Sequence, residues 1–235
     1  MNFEILASVL FPRSCLVCRK YLRADVLCEG CRRTVAISGT PFCGQCGAVL
    51  PRAGYSPRLS ASPCHPAFPY TLGAAGSYED NVLKTLIHAL KFRGVRAAAA
   101  PLADLMAEYV SLLKMDLREY LVTPIPLSRK RFRARGFNQS EYIAKRFAER
   151  LCLLLETGCL IRTKHAKPQS ETENLRERKG NIRGCFATTD AEAIRGKNIV
   201  LIDDVCTSGA TFLEAAQTLR SAGVAKIFAL AAAKA

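Results

Sequence analysis

The chain has 235 residues, 49% hydrophobic and 23% charged, which suits one folded domain with a smaller module beside it and excludes a disordered or low-complexity protein. Its 34 Lys and Arg against 20 Asp and Glu leave a net charge of +14, a balance that draws polyanions. The longest apolar runs, residues 5–11 and 227–233, fall short of the ~20 residues that cross a bilayer; with no basic leader or cleavage site evident, a cytoplasmic protein without a membrane span is expected.

Seven of the eleven cysteines precede residue 65. Cys15, Cys18, Cys28 and Cys31 form two Cys-x-x-Cys knuckles separated by nine residues, enough chain to fold one pair onto the other around a tetrahedral Zn²⁺. Paired spacings in a reducing compartment favour metal over disulfides. Cys43-Gly-Gln-Cys46 is a third knuckle, but only Cys64 follows it as a partner, and the adjacent His65 is too close in sequence to complete a tetrahedron with it. A second zinc on Cys43, Cys46 and Cys64 therefore lacks a ligand, and buried or redox thiols remain the alternative there. Cys152, Cys159 and Cys185 read as core or neutral positions.

Prolines and glycines over residues 50–70 mark a linker, dividing a zinc module at 1–70 from a domain at 71–235. Leu83, Leu86, Ile87 and Leu90 share one face of a helix, and Leu102, Leu105, Met106, Tyr109 and Leu113 share one face of the next. His88 is assigned no role. Residues 120–126 read as a short strand ended by proline, expected to be the first of the domain's sheet.

The run 129–135 carries five cations, interrupted by Phe132 and followed by Phe137. It is expected as a strand-to-helix connection, with Asn138 capping a helix whose buried face is Ile143, Phe147, Leu151 and Leu154. Arg129, Arg131, Arg133 and Arg135 there either neutralise a pyrophosphate or guide a nucleic-acid backbone past the two rings; the plainer alternative is a solvated basic loop. A strand at 159–162 leads into a long polar connection reaching Phe186, of the length that usually serves function.

The most informative stretch is residues 199–211, Ile-Val-Leu-Ile-Asp-Asp-Val-Cys-Thr-Ser-Gly-Ala-Thr. Four apolar residues suit a strand buried on both faces, and Phe212, Leu213, Ala216 and Leu219 then follow helical spacing. Between them, small and hydroxylated residues let backbone N–H groups converge on a phosphate. Adjacent acids at a strand end suit a vicinal diol with a nearby Mg²⁺. The strand 199–204, helix 211–222, Gly223 and strand 226–233 make a right-handed βαβ unit.

This run resembles the 5-phosphoribosyl-1-pyrophosphate (PRPP) motif of type I phosphoribosyltransferases, with Cys206 in place of the usual aliphatic residue. That resemblance implies an α/β fold with a mainly parallel sheet, and displacement of pyrophosphate from the anomeric carbon of PRPP. Asp203 and Asp204 would hold the ribose hydroxyls and Mg²⁺, and both are expected to face the ligand rather than the core. Cys206, Thr207, Ser208, Gly209, Ala210 and Thr211 would hold the 5′-phosphate, and the cations near Arg129 to Arg135 the pyrophosphate.

Pro-Ile-Pro-Leu at 124–127, Arg-Gly-Phe-Asn-Gln at 135–139, and Gln169 with Leu175, Arg178, Asn181 and Phe186 precede this motif, and the Cys-x-x-Cys module stands ahead of them all. Together with Tyr78, His88, Lys91 and Gly94, they make the chain similar to the ComF/GntX family over nearly its whole length. The resemblance implies a phosphoribosyltransferase-like protein, linked in transformable bacteria to incoming single-stranded DNA and to competence-machinery proteins. Family members often carry a fourth cysteine pair, and Ala67 stands where the partner of Cys64 would be. Three readings stand open: a transferase; a PRPP-responsive single-stranded-DNA-binding protein without turnover; and a zinc-stabilised adaptor.

Overall fold

The computed structural model describes residues 14–37, 39–41, 70–163 and 184–235. Cys43, Cys46 and Cys64, the 50–69 stretch of the linker, and Gln169, Leu175, Arg178 and Asn181 lie outside the described residues. Among those described, the elements run in chain order as α1 (Glu29–Arg33), β1 (Thr71–Ser77), α2 (Asn81–Arg93), a 3₁₀ turn (Arg96–Ala98) and α3 (Ala99–Leu113). Next come β2 (Tyr120–Pro124), α4 (Arg129–Arg135), α5 (Gln139–Leu151), β3 (Leu154–Leu155), β4 (Leu160–Arg162) and β5 (Phe186–Thr188). The chain closes with α6 (Ala191–Ile194), β6 (Asn198–Cys206), α7 (Ala210–Ser221) and β7 (Lys226–Lys234). No described helix is long and apolar enough to cross a membrane.

Five strands form a wholly parallel sheet in the order β1-β7-β6-β2-β3. Alternate residues of a strand face opposite sides, and β6 obeys this: Val200 and Ile202 enter one core with α2, α3 and α5, while Ile199 and Leu201 enter the other with α7. Both cores are apolar, so the sheet is covered on both faces and the carboxyl ends of its strands are where a ligand crevice forms. The zinc module is not separate from this body: Cys15, Leu27, Cys28 and Val35 belong to the first core, and the Tyr109 hydroxyl donates to the Thr40 carbonyl at 2.8 Å.

Three expectations need correction. The strand at 120–124 is not the first of the sheet, because Thr71–Ser77 pairs with β7 at the far edge. That strand reads Thr-Leu-Gly-Ala-Ala-Gly-Ser and after Thr71 carries none of the β-branched bulk that signals a buried strand; a Cβ on Gly73 would stand 2.6 Å from the Tyr109 ring, so packing demands the small residues that hide it. The basic run 129–135 is helical rather than an irregular connection. The Ser128 side chain accepts from the Arg131 N–H at 3.3 Å, good helix formers follow, and Gly136 at φ 78° ends the helix. Leu154 is not on the buried face of α5, which stops at Cys152 with φ 54°; Leu154 is 73% exposed on the edge strand β3. Cys159 and Cys185 are buried and Cys152 is exposed.

Candidate functional site

The four thiols of Cys15, Cys18, Cys28 and Cys31 lie within 4.8 Å of one another. Thiolates about 2.3 Å from a tetrahedral Zn²⁺ stand roughly 3.8 Å apart, and the Cys18 and Cys28 sulfurs are 3.6 Å apart, so the set fits zinc. Backbone donors support the thiolate form: the Cys28 N–H reaches Cys15 Sγ and the Cys31 N–H reaches Cys28 Sγ, each at 3.4 Å. This is a closed set of four sulfurs with no open position, the arrangement of a structural rather than a catalytic metal.

At the carboxyl end of β6 the two acids take different roles. Asp204 is only 3% exposed; its Oδ1 is 2.8 Å from the Lys91 ammonium at the end of α2, and its buried Oδ2 has no hydrogen-bond partner among the described residues. The expectation that both acids face a ligand is therefore corrected: Asp204 lies in the body of the protein, held by a cation that α2 delivers. Asp203 is partly exposed, and its Oδ1 accepts from the Ser140 hydroxyl at 2.7 Å and the Asp204 N–H at 2.9 Å. Burial first, and the Asp204 charge second, push the Asp203 carboxyl up to about 7, against the opposing pull of Ser140, the Asp204 N–H and Lys91.

Beyond the acids the chain turns through Thr207 and Ser208 to Gly209, which adopts φ 73° and whose carbonyl accepts from the Tyr70 hydroxyl at 3.2 Å. Ala210 and Thr211 open α7. Gly209 has no side chain to cap this twelve-residue helix, and only Ser208 Oγ reaches in, accepting from the Ala210 N–H at 3.5 Å, so the next N–H groups and the positive dipole end point out of the loop. A helix start with N–H groups to spare, following a part-exposed carboxylate such as Asp203, can take a phosphate and a hydrated cation together. Cys206 is buried at 3% exposure, its thiol pushed up to about 11 by burial and then by the Asp203 charge, which makes it a packing residue beneath the loop rather than a reactive one.

The predicted cations separate into two groups. Arg131 and Arg135 on α4 line a cleft of about 350 Å³ shared with Lys91, whereas Arg129 and Arg133 lie exposed elsewhere on the helix. Burial lowers Arg135, as does the charge of Arg131, while Asp204 and Asp203 pull it back up; these charges thus form one field around the acids. Three further residues join them. Lys91 pairs with Asp204, Ser140 bonds Asp203, and Arg162 on β4 has a buried Nε without a hydrogen-bond partner among the described residues. Ser140 directly follows the Asn138-Gln139 start of α5, and no spacing rule ties it to an acid 63 residues away.

The raised Asp203 carboxyl has a measurable consequence for the ligand-free protein. Its folded value of about 7 exceeds the ordinary 3.8, so its contribution to stability is complete below pH about 4 and is lost as pH rises through about 7. Asp203→Asn is expected to remove that loss. The melting temperature of the variant minus that of the wild type should grow more positive between pH 5 and pH 8, and a constant difference over that range would refute the raised value.

Residues 6–64 match the double zinc ribbon domain family, and residues 138–235 match the phosphoribosyl transferase domain family. Over 217 residues the chain is 29% identical to the DNA utilization protein YhgH of Salmonella typhimurium, covering 86% of this chain and 93% of that protein. It is 26% identical over 230 residues to competence protein F of Haemophilus influenzae, covering 92% of this chain and 95% of that one. Among solved structures, the glutamine PRPP amidotransferase of B. subtilis complexed with ADP and GMP is similar with a TM-score of 0.39 and 20% identity, over 57% of this chain and 26% of that chain.

Proposed function

We propose that this chain, which belongs to the family of competence protein F and the YhgH proteins and joins a zinc ribbon to a phosphoribosyltransferase domain, binds PRPP or a related ribose phosphate at the carboxyl end of β6. The observation that carries this reading is the start of α7, where only Ser208 reaches a leading N–H group, directly beyond the part-exposed Asp203 carboxylate. The N–H groups of residues 207–211 hold the 5′-phosphate, and Asp203 orients the ribose hydroxyls while Lys91 fixes Asp204 in place. Mg²⁺ held through Asp203, with Asp204 fixed behind it by Lys91, would supply positive charge against the diphosphate. Transfer breaks the bond from the anomeric carbon to pyrophosphate and forms one from that carbon to an acceptor; Arg131, Arg135 and Arg162 offset the charge on the departing pyrophosphate. Release of pyrophosphate from Mg–PRPP, measured with a panel of bases and with single-stranded DNA, tests this directly. Turnover supports transfer, and saturable binding without turnover supports a PRPP-responsive protein.

A second reading rests on α4. None of its five cations is paired with a carboxylate among the described residues, and Phe132 is 48% exposed among them. A helix so charged is built for an anion, and a single-stranded nucleic acid suits both the charges and the ring, as the names of the relatives suit it. Phe137 has no part in stacking, being 6% exposed against Tyr142. Binding is expected to lack sequence preference, and replacing Arg129, Arg131 and Arg133 together should reduce the slope of log K against log salt by ~0.7 for each phosphate left without its cation. Fluorescence anisotropy with a labelled oligonucleotide over a salt series reads the slope, and no binding at low salt would leave the metabolic transferase alone.

A further inference from the structure

Behind α4 the cleft of about 350 Å³ is walled by Lys91, Phe92 and Gly94 from the end of α2, by Arg131 and Arg135, and by Phe137. Phe92 is 67% exposed, more than any other phenylalanine among the described residues. Its ring is nonetheless held: His88 packs on it with centroids 4.8 Å apart, and the Arg135 guanidinium lies 5.8 Å from its centroid. The Phe137 wall is fixed as well, by Tyr142 at 5.5 Å edge-on and by Arg96 at 5.2 Å. Arg131 has neither a carboxylate nor a side-chain hydrogen-bond partner among the described residues, and Arg135 is tied in place by Gln139. A supported but exposed aromatic ring beside two guanidiniums, one held in place and one without a partner among the described residues, is a costly surface to leave in water.

We propose that this cleft receives a single nucleotide, its base stacked on Phe92 and its phosphate held by Arg131 and Arg135. An inorganic phosphate would leave the exposed ring without a purpose, and an apolar ligand would leave the cations without one; a nucleotide uses both. The volume sits at the lower end of the ~300–1,000 Å³ typical of small-ligand sites, which suits one nucleotide and not a longer segment. Lys91 belongs both to the cleft wall and to the Asp204 ion pair, so the bound nucleotide lies next to the acids of β6. The inference rests on the nucleic-acid reading of α4, and the nucleotide comes either from the end of a strand or free as a nucleoside monophosphate.

The test uses the full-length, zinc-loaded protein at low salt with three probes: deoxythymidine monophosphate, a short labelled oligo(dT), and Mg–PRPP. Phe92→Ala removes an exposed side chain and is expected to fold as the wild type does. It should weaken monophosphate and oligonucleotide about tenfold or more, with Mg–PRPP affinity unchanged and Phe92→Trp restoring binding. An oligonucleotide bound far more tightly than the monophosphate identifies a strand as the source, and similar affinities identify the free nucleotide. Oligonucleotide affinity unchanged in Phe92→Ala overturns the cleft while leaving α4 as a nucleic-acid surface. Failure of the wild type to bind either nucleotide probe overturns both, and the Mg–PRPP arm reports separately on the β6 site.

Discussion

Replacing Cys28 with serine is expected to release the zinc of the first knuckle pair and to unfold the N-terminal module. Cys28 is more than a ligand. It caps α1, accepting from the Cys31 N–H, and it lies in the apolar core shared with α2 and α3. Structural zinc sites of this kind carry apparent binding energies of ~10–16 kcal/mol, and where the site exists only in the folded state that energy is folding energy. Loss of the metal should therefore loosen residues 14–37 and uncover part of the core beneath them, leaving the parallel sheet in place. Metal analysis is expected to fall by about one zinc per chain, with new proteolytic cleavage within 14–37. Full zinc retention with unchanged melting would refute the assignment. Zinc remaining in the variant would have to come from Cys43, Cys46 and Cys64, which makes the same experiment a measure of the second, under-ligated set.

Asp203→Asn combined with Asp204→Asn is expected to abolish Mg²⁺-dependent PRPP binding, by at least ~100-fold or about 2.7 kcal/mol. Calorimetry with Mg–PRPP checks it, and an unchanged affinity would remove the acids from the site. The two positions should differ in stability. Asp203 carries repulsion from its neighbour, so the amide there relieves strain above pH 7. Asp204→Asn strands the Lys91 ammonium, which is 20% exposed; its partial access to water reduces the cost from the ~3–5 kcal/mol of a fully buried pair to about 1–3 kcal/mol. A crowded pair read from sequence alone predicts that losing either acid stabilises the fold. The ion pair to α2 reverses that sign for Asp204, and separate melts of the two single variants will resolve it.

The parts of this protein legible in its sequence are those encoded by short-range pattern. Two Cys-x-x-Cys knuckles specify a sulfur tetrahedron because each places two thiols within reach of one ion, and the tertiary structure brings all four together. The run from Ile199 to Thr211 specifies strand, acids, turn and helix because a doubly buried parallel strand must be apolar and a phosphate loop must be small. Helix faces at α2, α3 and α5 follow from period alone.

What the sequence did not disclose is set by contacts between distant segments. Strand β1 is hidden by the small residues that Tyr109 requires beside it, so packing erased the very bulk by which strands are recognised. The partners of the two acids come from α2 and α5, 113 and 63 residues away, and nothing local to Lys91 or Ser140 announces them. Phe92 reads as one more aromatic at a helix end until the fold swings α4 across it and makes a walled cleft. Charge, motif and period are properties of neighbouring residues and survive in the sequence. Which acid is buried, which cation is free and which ring is exposed depend on the docking of α2, α4 and α5 around the end of β6, and only the tertiary structure decides them.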